Sequence, residues 1–498
     1  MKIISRRDFL TLTAIAGSSI VLPVALQNRG YAQNAKSQTF EPFTLPFRIP
    51  PVLKPIRSDR TTDYYQITMR PARVEFFTGV KTTIWGYNGM FPGPTIKQRK
   101  DRQSVVRVIN NLSRSTSVHL HGMASQPQYD GYAEDFMSPG YYKDYVYPNN
   151  RAANFWYHDH TMHQSAQNVY MGLAGMYIVQ DDAELSLPLP KDAYDIPLII
   201  HDKQFASDGS LIFNDQGQIT LMGDVITVNG VPWPRMQVAN RKYRFRVLNA
   251  SISRSYRLAL STGDDLIVIG TDSGLMSAPV TTQDMRIGTA ERYDLIIDFS
   301  KYRIGTQVVL QNLQLPNNDN FDNTDKILRF DVVRTESDNS SIPSTLNNIQ
   351  PIPESLAVRT RNFSFDLQNG LWVINGNGWS RDRIDANPQL EDVEIWNLVH
   401  DSSNSFHLIH LHLIDCQILD RNGQPPFPYE RGFKDVFYVG ENETVRVIGR
   451  FRPNMGKYMF HCHNIVHEDH DMMSQFQVGQ GGIDPLSAPP RRLPAPPL

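Results

Sequence analysis

The chain has 498 residues, enough for about three domains of ordinary size. Apolar residues make up 40% and charged residues 20%, the balance of a folded globular protein and not of a disordered, collagenous or coiled-coil one. Lys and Arg (49) nearly cancel Asp and Glu (51) with no long basic run, so no nucleic-acid partner is expected, and two cysteines, Cys416 and Cys462, are too few to staple a scaffold.

In chain order, Ser5-Arg6-Arg7-Asp8-Phe9-Leu10 opens an apolar stretch to about Leu26, and Gly30-Tyr31-Ala32 offers a small-residue cleavage site before Gln33. This is the pattern of a twin-arginine export signal over residues 1–32. Thr11, Gly17, Ser18, Ser19 and Pro23 make the stretch weakly apolar for a spanning helix, so a cleaved signal is expected rather than a membrane anchor. No other run approaches the ~18 apolar residues a span needs. The mature protein is therefore expected to be periplasmic or extracellular, without stable membrane insertion.

Three copies of one unit follow. Tyr87-Asn88-Gly89, Val228-Asn229-Gly230 and Ile374-Asn375-Gly376 each precede a Pro- or Trp-bearing turn, with spacings of 141 and 146 residues between the Asn-Gly pairs. Each leads to an alternating strand ending in Asn, at Asn110, Asn249 and Asn397, which lie 22, 20 and 22 residues on. Short strands between turn residues dominate, residues 293–299 being one, and long amphipathic helices are few. The fold class is therefore all-β, with three Greek-key β-sandwich or barrel domains. Expected boundaries are 33–185, 186–345 and 346–480, with 481–498 a Pro-rich tail extended on the surface.

Ten of the 14 histidines fall in four clusters within the first and third copies. They are His119-Leu120-His121, His158-Asp159-His160, His407-Leu408-Ile409-His410-Leu411-His412, and His461-Cys462-His463 with His467 and Met472 following. The middle copy has Leu258 where the first has His119, and reads as a spacer. Residues i and i+2 share one face of a strand, so each His-x-His presents two imidazoles to one site. Four pairs supply His119, His121, His158, His160, His410, His412, His461 and His463, too many for one ion and suited to copper, zinc or iron. Structural zinc is usually cysteine-rich, which does not match this set. The same alternation turns Cys462 away from its two neighbours and His407 away from His410. Cys462, His407 and His467, with Met472 as a weak axial ligand, then form a second site of blue-copper type. A Cys416–Cys462 disulfide is the alternative, but Cys462 between two ligand-spaced histidines fits a metal thiolate better. Cys416 fits a buried free thiol.

With these motifs over nearly the whole mature chain, the sequence resembles the multicopper oxidases. The segments 158–163 and 461–473 are most similar to bilirubin oxidases, and the three-domain layout to bacterial spore-coat laccases. The resemblance implies three cupredoxin-like domains and four coppers. His119 and His410 would hold type 2 copper. His121, His158, His160, His412, His461 and His463 would hold the type 3 pair. Cys462, His407, His467 and Met472 would make type 1. Asp130 and Glu468 resemble acidic residues that the family places by its oxygen channel, where carboxylates relay protons, although Asp130 before Gly131 also reads as a turn residue. Asp159 fits either a partner orienting an imidazole or a solvated residue. His163 and His470 are candidates for contact with ligands, while His201 and His400 read as ordinary polar residues. Leu408 and Ser405 depart from the family pattern, which has Pro and, in bilirubin oxidases, Trp there. The implied partners are O2 and small reducing substrates: phenols, aromatic amines or a linear tetrapyrrole. The alternatives are an oxidase of Cu(I), Mn(II) or Fe(II), disfavoured by the lack of a Met-rich insert, and a copper-free binding protein, disfavoured by the complete ligand set.

Overall fold

The computed structural model describes residues 41–216 and 220–498, so the expected export signal lies outside the described residues. The three Asn-Gly pairs are the turns around which the copies are built. Asn88, Asn229 and Asn375 have φ of 56°, 49° and 52°, and the glycines that follow have 70°, 77° and 75°. Two successive left-handed residues make a type I′ turn, the conformation for which Asn-Gly is best suited. Each Asn side chain then accepts the backbone N–H of Thr68, Ile199 or Ser364, at 2.9, 2.8 and 2.7 Å.

Those three residues sit in the strands Thr62–Phe77, Asp195–Lys203 and Ala357–Gln368. Each pairs in parallel with a strand further along its copy: Gln103–Asn110, Lys242–Asn249 and Val393–His400. Thr68 faces Ile109, Ile199 faces Leu248, and Ser364 faces Val399. The residues that end the three strands in register are therefore Asn110, Asn249 and His400, which corrects the expected Asn397. Asn110 donates to Met137 O and Asn249 to Ile287 O; in the third copy the His400 Nδ1–H takes over, donating to Gly440 O at 3.0 Å. Asn397 lies inside its strand and bonds Asn362 instead.

Each copy folds as two sheets with an apolar layer between them, and the three α-helices among the described residues have only five to seven residues each. In the first lobe Ile67, Val106 and Val108 meet Leu120, Phe155 and Tyr177. In the last, Phe363, Phe365 and Leu398 meet Ile409, Phe460 and Phe476. The middle lobe's two sheets have seven and five strands. A further apolar cluster joins all three lobes through Trp156, Ile199, Leu248, Leu408 and Ile465.

Both ends of the described chain cross between lobes. Phe43 and Phe47 donate backbone N–H to Trp233 O and Arg235 O, tying a segment expected in the first domain to the middle one. At the other end the Pro-rich tail is more than a loose extension: Arg491–Arg492 add antiparallel to Tyr141 and Tyr142 at the edge of a first-lobe sheet. Proline's missing N–H is tolerated at such an edge.

Candidate metal centres

Two strand pairs face each other across the first and last lobes. Val118–His121 runs antiparallel to Ala153–Asp159, placing His119 opposite His158. His407–Leu411 runs antiparallel to Gly456–Cys462, placing His410 opposite His461. Directly opposed residues share a face. The two pairs thus bring all eight predicted imidazoles together, each of them buried. Three groups result, each with its donor atoms within 4.8 Å of one another: His121, His158 and His463; His160, His412 and His461; and His119, His121 and His410. His119 Nε2 stands 3.4 Å from His410 Nε2, and His461 Nε2 is 3.1 Å from Nε2 of both His160 and His412.

The chain fixes which nitrogen of each ring points inward. His158, His410 and His461 give Nδ1–H to the backbone oxygens of Asp159, Asp435 and Cys462, and His119 gives its own to Asp130 O. His412 Nδ1–H donates to Asp130 Oδ2 at 2.7 Å. Each of these rings is left with Nε2 for the centre. His121 is reversed. Its Nε2–H donates to Asp435 Oδ1 at 3.1 Å, leaving Nδ1 without a partner.

Cys462 lies on the opposite side of the strand. Its Sγ is 3.6 Å from His407 Nδ1 and 3.7 Å from His467 Nδ1, which are 3.3 Å from each other. Met472 is buried beside them, with its backbone bonded to Cys462 N and His467 O. Both cysteines are free, and Cys416 is packed against Gly449. Trp372 stacks on the His467 ring at 3.8 Å.

Three multicopper oxidase family models match the chain, over residues 68–184, 202–328 and 348–482. Bilirubin oxidase of Albifimbria verrucaria is 40% identical over 89% of this chain and 82% of its own length. This chain is a multicopper oxidase. Laccase of Bacillus subtilis (strain 168) is 34% identical over 88% of this chain and 99% of its own. The crystal structure of a laccase from Pediococcus acidilactici superposes with a TM-score of 0.81 at 29% identity, covering 89% of this chain and 95% of that one. The cupredoxin-like fold, the oxidoreductase chemistry with oxygen as acceptor, and the use of copper follow from this membership.

The donor set of this multicopper oxidase fits the metal. One ion bonded to two imidazoles at ordinary lengths holds their nitrogens about 3.3–3.5 Å apart, and a thiolate and an imidazole about 3.6–3.8 Å apart. The spacings of His119 and His410, of His461 with His160 and His412, and of Cys462 with His407 and His467 are close to those values. Buried nitrogens without hydrogen-bond partners on His121 (Nδ1), His158 (Nε2) and His463, the three rings of one group, fit metal ligation. Burial, reinforced by neighbouring imidazoles, pushes His119, His121, His158, His407, His410, His412 and His463 well below the ordinary imidazole range. They are neutral, the form that binds a metal.

The acidic residues divide. Burial pushes Asp130 up to about 6, and its Oδ1 has no hydrogen-bond partner. Glu468 lies with Oε2 3.2 Å from His461 Nδ1 and Oε1 3.7 Å from His160 Nδ1. Asp159 is fully buried, so it is not a solvated residue. Its carboxylate bonds Ser117, Thr161 and Asn168 rather than an imidazole, and only its backbone oxygen serves His158. His163 and His470 bond the backbone oxygens of Asp469 and Val466. His400 and His201, read as ordinary polar residues, are both buried. His400 packs edge-on to His407 at 4.5 Å, held by Ser402 and Ser405, and His201 packs against Phe91 with both nitrogens unpartnered. Asp435, Arg292 and Asp272 were missed altogether. Only the Lys434-Asp435 pair, a buried charge within a strand-like run, could have drawn attention to them.

Proposed function

We propose that this multicopper oxidase takes electrons one at a time from small aromatic donors, namely phenols, aromatic amines or a tetrapyrrole like that named for its Albifimbria relative. Cys462, His407, His467 and Met472 would hold the copper that accepts them. His119 and His410 would hold a second ion, and the two triads, His121-His158-His463 and His160-His412-His461, the remaining two. Copper, when bound, supplies the one-electron redox chemistry and the reactivity toward oxygen. Each cycle oxidises four donors by one electron each and converts one O2 and four protons to two waters.

The chain's own part is continuity, enclosure and protons. His461 and His463 are the covalent neighbours of Cys462, so a few bonds of one strand join the donor side to both triads. Trp372 covers His467 and keeps that ring in an apolar contact. Asp130 Oδ1 is a buried carboxyl poised to hold a proton in the weakly acidic range, and its Oδ2 fixes His412. Glu468 serves His160 and His461 from the other side.

The observation that carries this reading is the division of three consecutive residues, His461, Cys462 and His463, among three different donor groups. Oxygen uptake by the copper-loaded protein with a panel of donors tests it, with Cys462→Ser as control. Aromatic donors should turn over and the variant should lose both colour and uptake. Turnover confined to Cu(I), Fe(II) or Mn(II) would replace the donor class, and an active, blue Cys462→Ser would remove Cys462 from the mechanism. Twin-arginine export to the periplasm or beyond is part of the same proposal. It is supported by Arg6-Arg7 ahead of the apolar stretch in the sequence.

A further inference from the structure

Among the middle-lobe side chains that reach the metal region, beside Thr289 at His463 O and Ser253 at Asn464, one meets the carboxylate that serves His121. Arg292 opens the middle-lobe strand Arg292–Asp298 and is completely buried. Its guanidinium grips Asp435 of the last lobe with both arms, Nη1 to Oδ1 at 2.7 Å and Nη2 to Oδ2 at 2.6 Å. Its remaining hydrogens go to Asn154 O of the first lobe and to Ala290 O and Asp272 O of its own. Asp272 in turn accepts the backbone N–H groups of Arg292, Asp435 and Val436, and pairs with Lys434. Every donor of Arg292 is thus used, and Asp435 has no freedom to rotate.

Asp435 is the acceptor for His121 Nε2–H, and its backbone oxygen is the acceptor for His410 Nδ1–H. The two rings stack on each other 3.6 Å apart. One residue, through its carboxylate and its backbone oxygen, therefore orients two imidazoles that would serve different ions. His121 is the ring whose tautomer is reversed, so it depends on this side-chain acceptor where others use backbone oxygens. The approach is tight enough to exclude any side chain at position 122. A Cβ on Gly122 would lie 2.7 Å from Asp435 Oδ2 and 2.8 Å from Arg292 Nη2.

We infer that Arg292 is a positioning residue for the metal cluster: by locking Asp435 it holds Nδ1 of His121 toward its triad. The middle lobe thereby sets how firmly that position retains copper. A lysine in its place keeps the charge but not the planar fork, and cannot hold both carboxylate oxygens in one geometry. The inference rests on reading the eight histidines as copper ligands.

The test is metal content and chelator resistance of the full-length, copper-loaded protein, with the blue absorption of the Cys462 site as an internal measure of folding. Arg292→Gln should lose one copper of the four, or release it at least tenfold faster to a Cu(I) chelator under reducing conditions, while the blue absorption stays. Arg292→Lys should fall between Arg292→Gln and wild type. Arg421→Gln is the control, because Arg421 grips Glu430 through the same fork at 2.9 and 2.8 Å but touches no histidine. It should keep all four. Wild-type copper retention in Arg292→Gln would overturn the inference, as would equal loss in Arg421→Gln. If Arg292→Gln does not fold, Arg292→Lys decides: tenfold faster release supports the inference and wild-type resistance refutes it. A wild type that saturates below four coppers would instead fail the ligand reading itself.

Discussion

Removing copper should make this protein acid-labile over a narrow range. Seven histidines, His119, His121, His158, His407, His410, His412 and His463, are pushed well below the ordinary imidazole range by burial. Below about pH 6.5 the unfolded chain binds protons that the native, metal-free protein refuses. Stability is therefore fully present above that pH and falls as the pH falls. Each such group steepens the fall by ~1.4 kcal/mol per pH unit, so seven approach ~10 kcal/mol per unit. That is the size of a whole domain's stability, ~5–15 kcal/mol, so the metal-free protein should unfold cooperatively within about two pH units below 6.5. Copper occupies the same lone pairs and competes with protons, so the loaded protein should hold its fold to lower pH. Circular dichroism and tryptophan fluorescence, followed from about pH 8 to about pH 4 on both forms, measure the two midpoints. A metal-free protein still native at the acid end, or two forms with one midpoint, would refute the reasoning.

Two substitutions probe the surroundings. Gly131→Ala would place a Cβ 2.4 Å from Val118 O and 2.6 Å from His119 Cα at a φ of 82°. Backbone cannot give way there, so left-handed strain and overpacking should cost ~2–5 kcal/mol, read as a lower urea midpoint; an unchanged midpoint would show that the Asp130 turn is loosely held. Trp372→Leu removes the ring stacked on His467 and should cost ~2 kcal/mol. It should also shift the blue absorption and lower kcat/KM for aromatic donors, whereas an unaltered spectrum and rate would deny Trp372 any part in the donor site.

The metal chemistry was legible because a strand has period two. His-x-His can only mean two imidazoles on one face, and Cys462 between His461 and His463 can only mean a thiol on the other. The Asn-Gly turns were legible for a similar reason, since few dipeptides take two left-handed residues in succession. The third copy was misaligned because its strand ends in His400, which supplies an Nδ1–H where Asn110 and Asn249 supply an amide. Matching on Asn alone stopped three residues early. Arg292, Asp272 and Asp435 were hidden because their meaning lies in a meeting of three lobes, and no local periodicity reports a contact across 143 residues. The edge strand at Arg491–Arg492 escaped notice because a proline-rich run carries no alternation to read.

The two halves of the cluster are made at very different times, for 250 residues separate His160 from His410. Until the last lobe has been synthesised and docked, the first displays four imidazoles with nothing opposite them. Metal capture thus reports a finished assembly. A chain cut short before Gly456 would be colourless and inert, however well its remaining sheets had formed.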